Sequence, residues 1–106
     1  MPEQRQSERT RASLYAIWEM TQQSVLSGDV LNFSREGCYV QSRSGLPSRP
    51  EVDLQVRLPT ERWIRARASV RHTTEPDGFG LSFTGLTPED RSMLGLLADY
   101  YREEEA

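Results

Sequence analysis

The stretch EVDLQVRLPTERWIRARASVRH, residues 51–72, decides the fold class of this chain. Apolar side chains occupy every second position in each of its two halves. These positions are Val52, Leu54, Val56, Leu58, Ile64, Ala66, Ala68 and Val70. Because a period of two places alternate side chains on opposite faces of a strand, the stretch predicts two strands, each with one face in the core.

Shorter apolar segments on either side predict four more strands. They are SLYAIWEM (13–20), VLNFS (30–34), CYVQS (38–42) and GFGLSFTG (78–85). TQQSVLSGD (21–29) is predicted to be a turn region, with Ser27-Gly28-Asp29 as its clearest break. RSGLPSRP (43–50) is predicted to be a loop because it is rich in Ser, Gly and Pro.

The period changes in LTPEDRSMLGLLADYYREEE, residues 86–105, which predicts a helix. Thr87 is a plausible N-cap, Pro88 suits the first helical position, and Asp90 follows the cap by three residues. The apolar stripe consists of Met93, Leu94, Leu97, Tyr100 and Tyr101. About six short strands and one terminal helix predict a mainly β protein, a small β-barrel or curled sheet with the helix at an open end or on a contact surface.

Composition limits the classes of function. The 106 residues suffice for a single domain, and no apolar run approaches the length of a membrane span. The N-terminus lacks the apolar core of a signal peptide, so a cytoplasmic protein is expected. The net charge of −3 argues against bulk binding to nucleic acid or acidic membranes.

Catalysis and metal binding find little support in the residue types. His72 is the only histidine and Cys38 the only cysteine, so metal ligands at useful spacing are absent. A Cys38–His72 dyad is conceivable, but Cys38 is expected to point into the core as a small hydrophobe. The sequence therefore predicts a protein without enzyme activity, metal or cofactor.

Two stretches are candidates for one binding site. Residues 1–11 are polar without apolar periodicity, which predicts a flexible arm bearing Arg5 and Arg9. In NFSREG (32–37), Asn32 and Ser34 would share the outer face of a strand, with Leu31 and Phe33 facing the core. A local turn in which these side chains bond nearby backbone remains the alternative for NFSREG.

The chemistry of the two stretches together suits a small, doubly charged ligand that carries a purine. Arginine grips phosphate in a charge-assisted fork, and it also bonds or stacks on guanine. Asn32 can accept from guanine N–H groups, while Ser34 adds a short hydrogen bond. Gly37 permits either a turn with positive φ or a close approach of another group.

At these residues the sequence resembles the PilZ domain family, bacterial receptors for the second messenger cyclic di-GMP. The family pattern RxxxR appears as Arg5-Gln6-Ser7-Glu8-Arg9, and [D/N]xSxxG appears as Asn32-Phe33-Ser34-Arg35-Glu36-Gly37. Twenty-two residues separate the two motifs, and GFGLSFTGLTPEDRSML resembles the last strand of the family and its turn into the C-terminal helix.

The resemblance implies a six-stranded antiparallel β-barrel with a C-terminal helix. The whole chain, 1–106, would be one domain, with a flexible arm (1–12), a barrel (13–85) and a helix (87–103). Arg5 and Arg9 would hold phosphates and contact guanine, Asn32 and Ser34 would read a guanine edge, and Gly37 would keep the turn open. Arg11 is an additional candidate for phosphate contact.

The leading hypothesis is thus a stand-alone cyclic di-GMP receptor whose arm orders on binding and signals to a downstream protein. A nucleotide-independent adaptor of the same family is the alternative, with Trp63, Tyr100 and Tyr101 as its contacts. An OB-like barrel that binds single strands, through Arg65, Arg67 and Arg71, ranks last because the net charge is acidic. A homodimer is left open.

Overall fold

The chain forms a closed barrel of six antiparallel strands followed by one helix. A computed structural model describes residues 9–21, 24–43 and 45–105. The elements are β1 (Thr10–Thr21), β2 (Ser24–Phe33), β3 (Gly37–Ser42), β4 (Glu51–Arg57), β5 (Trp63–Thr74), β6 (Gly78–Gly85) and α1 (Pro88–Glu105). The order around the barrel is β1-β2-β3-β6-β5-β4, and β4 pairs with β1 to close it. The predicted β-barrel and C-terminal helix are confirmed. The predicted flexible arm lies largely outside the described residues, and Thr10–Ala12 of it belong to β1.

The core is built from the alternating apolar positions that the sequence predicts. Leu54 of β4 pairs with Ala66 of β5, and both side chains are buried. Trp18 and Phe79 meet at the centre of the barrel as an edge-to-face pair, with ring centroids 5.2 Å apart. Edge-to-face packing of two large rings contributes beyond the area it buries, so this pair anchors β1 against β6.

The predicted turn region over residues 21–29 is wrong for most of its length. β2 begins at Ser24, and Gly28 lies inside the strand, paired with Ala16 of β1 and Ser42 of β3. A Cβ at Gly28 would collide with the backbone carbonyl of Gln41 on β3. Gly28 is therefore explained by the close approach of a neighbouring strand rather than by a turn.

The core-facing residues of β2 also differ from the prediction. Val30 and Phe33 are buried, whereas Leu31 is only half-buried. The register between β2 and β3 shifts at Leu31, where one extra residue on β2 forms a bulge. Because a bulge turns the following residues over, side chains three apart share the core face.

Helix α1 starts as predicted and covers one end of the barrel. The Asp90 N–H donates to Thr87 Oγ1 at 3.1 Å, which makes Thr87 the N-cap. The carboxylate of Asp90 contacts the start of β5 instead, at 3.6 Å from the Arg62 guanidinium and 3.5 Å from the Arg65 backbone N. Leu94 is buried, and α1 continues to Glu105, two residues beyond the predicted end.

Candidate functional site

The pairing of the start of β1 with the end of β2 brings the two candidate stretches together. Arg11 pairs with Asn32 and Thr10 with Phe33, so Arg9 lies just beyond the end of β2. Arg9 Nη1–H donates a hydrogen bond of 2.9 Å to Asn32 Oδ1. Residues far apart in the chain, one from each motif, are thereby joined on the surface of the barrel. Arg5 lies outside the described residues.

Asn32 owes its orientation to the bulge at Leu31. The bulge sends Phe33 into the core and leaves Asn32 half-buried on the outer face, between Arg11 on β1 and Tyr39 on β3. Phe33 then packs edge-to-face on Tyr101 of the helix, with centroids 6.3 Å apart. Core packing on one side therefore holds the amide in place on the other.

Ser34 does not share the outer face with Asn32, and that prediction is wrong. Its side chain is buried, and its Oγ accepts a hydrogen bond of 3.1 Å from the Glu36 N–H. The Ser34 N–H donates to the Gly37 carbonyl at 2.8 Å, which closes a tight turn. The alternative of a local turn thus describes Ser34, although a hydroxyl that accepts a bond keeps its own hydrogen for donation.

Gly37 begins β3 directly beside the last strand. Its φ does not lie in the left-handed region; among the described glycines only Gly45 has a positive φ. A Cβ at Gly37 would instead collide with the carbonyl oxygen of Leu81 on β6. Of the two explanations predicted for Gly37, close approach of another group is confirmed.

The turn between Ser34 and Gly37 is also bonded to the rest of the protein. The Phe83 N–H donates to the Glu36 carbonyl at 2.8 Å, and the Arg91 guanidinium donates to the Arg35 carbonyl. An open groove of about 1040 Å³ runs between this turn and the surface of α1. Arg91 was not singled out from the sequence, because a contact between residues this far apart has no local signal.

Three exposed arginine side chains lie around the site. In the part of the chain that the structure describes, Arg9, Arg11 and Arg35 take part in no salt bridge. Elsewhere Arg67 lies 3.5 Å from Glu51 and 3.4 Å from Asp53. Exposed guanidinium groups without carboxylate partners are suited to bind an anion from solution.

Cys38 and His72 do not form a catalytic pair. Cys38 is buried in the core, where desolvation raises the pKa of its thiol to about 12, against a smaller lowering by Arg9. His72 lies on the outer face of the sheet beside Tyr39, with ring centroids 6.0 Å apart. A thiol that stays protonated and faces away from the imidazole cannot be activated by it.

Other kinds of site find no support among the residues described. No group of three or more His, Cys, Asp or Glu side chains in these ranges could hold a metal ion. No helix described here is long and apolar enough to cross a membrane. Of the contacts expected for an adaptor, Trp63 and Tyr100 are exposed, whereas Tyr101 packs on Phe33.

These features define a small β-barrel with a candidate anion site where β1 meets the end of β2. The sequence matches the model of the PilZ domain over residues 3–99. The chain therefore belongs to the PilZ domain family. None of the curated proteins compared with this chain matches it.

Solved structures show the same fold. The Bacillus subtilis inhibitor of motility MotI (DgrA) superposes with a TM-score of 0.83 at 22% identity, over 99% of this chain and 54% of that chain. The Escherichia coli YcgR PilZ domain with c-di-GMP gives 0.82 at 12% identity, over 97% and 95%. The PilZ domain of CeSA from a cellulose-synthesizing bacterium gives 0.65 at 16% identity, over 87% and 95%. This chain thus spans about half the length of MotI.

Proposed function

We propose that this PilZ domain is a cytoplasmic receptor for cyclic di-GMP that has no enzyme activity of its own. The observation that carries the proposal is the hydrogen bond of 2.9 Å between Arg9 and Asn32, which joins the two motifs at one place. The binding residues we propose are Arg5, Arg9, Asn32, Ser34 and Gly37, with Arg11 as an additional phosphate contact. A likeness to the YcgR PilZ domain with c-di-GMP supports the choice of ligand.

The Arg9–Asn32 bond suggests how the ligand would enter. A phosphate offers Arg9 a charged acceptor, which binds a guanidinium more strongly than a neutral amide oxygen does. Asn32 Oδ1 would then be released to accept from a guanine N–H. Each side chain is thus held at the site by the other until the ligand replaces their contact.

The proposed signal is a movement of the segment before β1. Arg9 precedes β1, so a change in its partner alters the path of the chain leading into the barrel. Arg5 would join the phosphate contacts in the bound state. The altered surface would then be presented to a downstream protein, which would respond to the messenger through this domain.

Isothermal titration calorimetry with cyclic di-GMP tests the proposal. Arg9→Ala removes a charged donor, and since such bonds are worth about 1.5–3 kcal/mol, affinity should fall roughly 10- to 150-fold. Asn32→Ala should weaken binding as well. Arg67→Ala removes the same charge on the β4–β5 side of the barrel and should leave affinity unchanged.

The outcomes separate the alternatives. Saturable binding to cyclic di-GMP but not to GTP, weakened in Arg9→Ala, supports the receptor. The stoichiometry distinguishes one bound nucleotide from a stacked pair. A flat titration of folded wild-type protein refutes the receptor and favours the nucleotide-independent adaptor. The exposed Leu96 and Tyr100 on α1 are then the first surface to examine for protein contacts.

A further inference from the structure

Two aromatic rings lie flat across the outer face of β6. The strand has no side chain there at Gly78 and Gly80, where an added Cβ would collide with Tyr39 and His72 respectively. The Tyr39 and His72 rings are nearly parallel, with an interplanar angle of 23° and centroids 6.0 Å apart. The two glycines therefore allow rings from β3 and β5 to rest on the backbone between them.

This pair of rings continues the candidate site across the barrel. Arg11, Asn32, Tyr39, Gly80 and His72 are successive cross-strand partners on β1, β2, β3, β6 and β5. Neighbouring strands lie about 4.8 Å apart, so the rings begin one strand beyond Asn32 and end about three strands beyond it. A ligand bound at Asn32 meets them on one side and the arginines on the other.

The rings present a flat aromatic surface to solvent. Their inner faces cover the glycine backbone, which is a purely structural reason for their position. The outer faces are not covered by any described element, since His72 is exposed and Tyr39 is only half-buried. Stacking on such a surface accommodates any purine, because every base has a π-face.

We infer that Tyr39 and His72 form a stacking platform for one guanine base of bound cyclic di-GMP, beside the phosphate contacts of Arg9 and Arg11. The inference rests on the proposed function and adds a subsite to it. Asn32 holds the guanine edge or the adjoining part of the nucleotide, while the ring faces bear the plane of the base. Neither Tyr39 nor His72 belongs to the two sequence motifs.

Affinity measurements on ring variants test the platform. Stacking on an aromatic side chain is worth enough that Tyr39→Ala and His72→Ala should each weaken cyclic di-GMP binding roughly 5- to 150-fold. Tyr39→Phe and His72→Phe keep a flat ring and should restore most of the affinity. Trp63→Ala removes an exposed ring elsewhere on β5 and should have no effect on binding.

Proton NMR of wild-type protein gives a readout that does not depend on any variant folding. His72 is the only histidine in the chain, so its imidazole C–H signals can be assigned without further experiments. A base stacked over the ring should shift these signals upfield. Fitted to the ligand concentration, the shift should give the same dissociation constant as calorimetry. In Arg9→Ala the shift should need a roughly 10- to 150-fold higher ligand concentration, in step with the loss of affinity.

Two results overturn the inference in different ways. If wild-type protein binds cyclic di-GMP while the imidazole signals stay in place and the alanine variants bind normally, the platform is wrong and the receptor proposal stands. If wild-type protein does not bind at all, the receptor proposal and the platform fail together.

Discussion

Replacing Gly37 by alanine tests why the NxSxxG stretch ends in glycine. The φ of Gly37 is one that any residue adopts, so backbone strain is not the reason. The added methyl would instead meet the Leu81 carbonyl oxygen, a backbone atom held in the β3–β6 ladder by the Cys38–Leu81 and Gly37–Ser82 pairs. Backbone cannot rotate away as a side chain can, so the two strands must separate locally.

The expected cost follows from that collision. Forcing one extra methyl into a closed space costs about 1–3 kcal/mol. Gly95 offers a matched control, because it lies inside α1 and a Cβ there meets only Arg35 Cδ, at 4.0 Å. Alanine replaces glycine favourably in a helix interior, so Gly95→Ala should stabilise the protein by about 0.5–1 kcal/mol. The same methyl group is thus predicted to have opposite effects at the two positions.

Urea denaturation monitored by circular dichroism measures both changes. A lower free energy of unfolding for Gly37→Ala and a higher one for Gly95→Ala would agree with the structure. Wild-type stability in Gly37→Ala would refute the close approach of β6. In that case a loss of ligand binding in the variant would mean that the added methyl group clashes with the ligand and not with β6.

Three further predictions concern stability. Because the folded state keeps the Cys38 thiol protonated up to about pH 12 and the unfolded chain ionises near 9.0, wild-type stability should fall above about pH 9. Near pH 10.5 the free energy of unfolding should have fallen by about 2 kcal/mol more in wild type than in Cys38→Ala. The same pH dependence of urea stability in the two proteins would contradict the prediction. Thr87→Ala removes the N-cap of α1 and should cost about 0.5–2 kcal/mol by thermal denaturation, whereas an unchanged melting temperature would exclude the cap. Ser34→Ala leaves the Glu36 N–H without its acceptor and should cost about 1–3 kcal/mol in urea unfolding, in contrast to a neutral Ser92→Ala on the exposed face of α1.

The sequence predicted those parts of the fold that depend on local patterning. Strict alternation in 51–58 and 62–72 placed β4 and β5 correctly, because each strand has one buried face and one exposed face. The N-cap at Thr87 could also be predicted, since a capping hydrogen bond is made within a few residues. In both cases the interaction that fixes the structure lies inside the stretch that carries the pattern.

The predictions were wrong where a residue is fixed by contact with a strand that is distant in sequence. Gly28 resembles a turn residue in sequence, but the backbone of Gln41 is what requires it. The bulge at Leu31 depends on registers with both neighbouring strands, and it changed which side chains of β2 face the core. The same bulge and the turn after it bury Ser34, so the prediction that it is exposed was wrong. Alternation in the local sequence does not reveal such a bulge.

The candidate site combines a fixed side and a side that can change partner. On the fixed side, the turn that follows Asn32 is bonded internally, to β6 through Glu36 and to α1 through Arg35. Arg9, by contrast, is exposed, precedes β1 and, within the described part of the chain, is joined to the barrel by its side-chain hydrogen bond to Asn32. A ligand that replaces this bond meets a barrel surface already in place, so the main rearrangement that we expect on binding is at Arg9. Affinity should for that reason respond more steeply to changes at Arg9 than to changes in the turn.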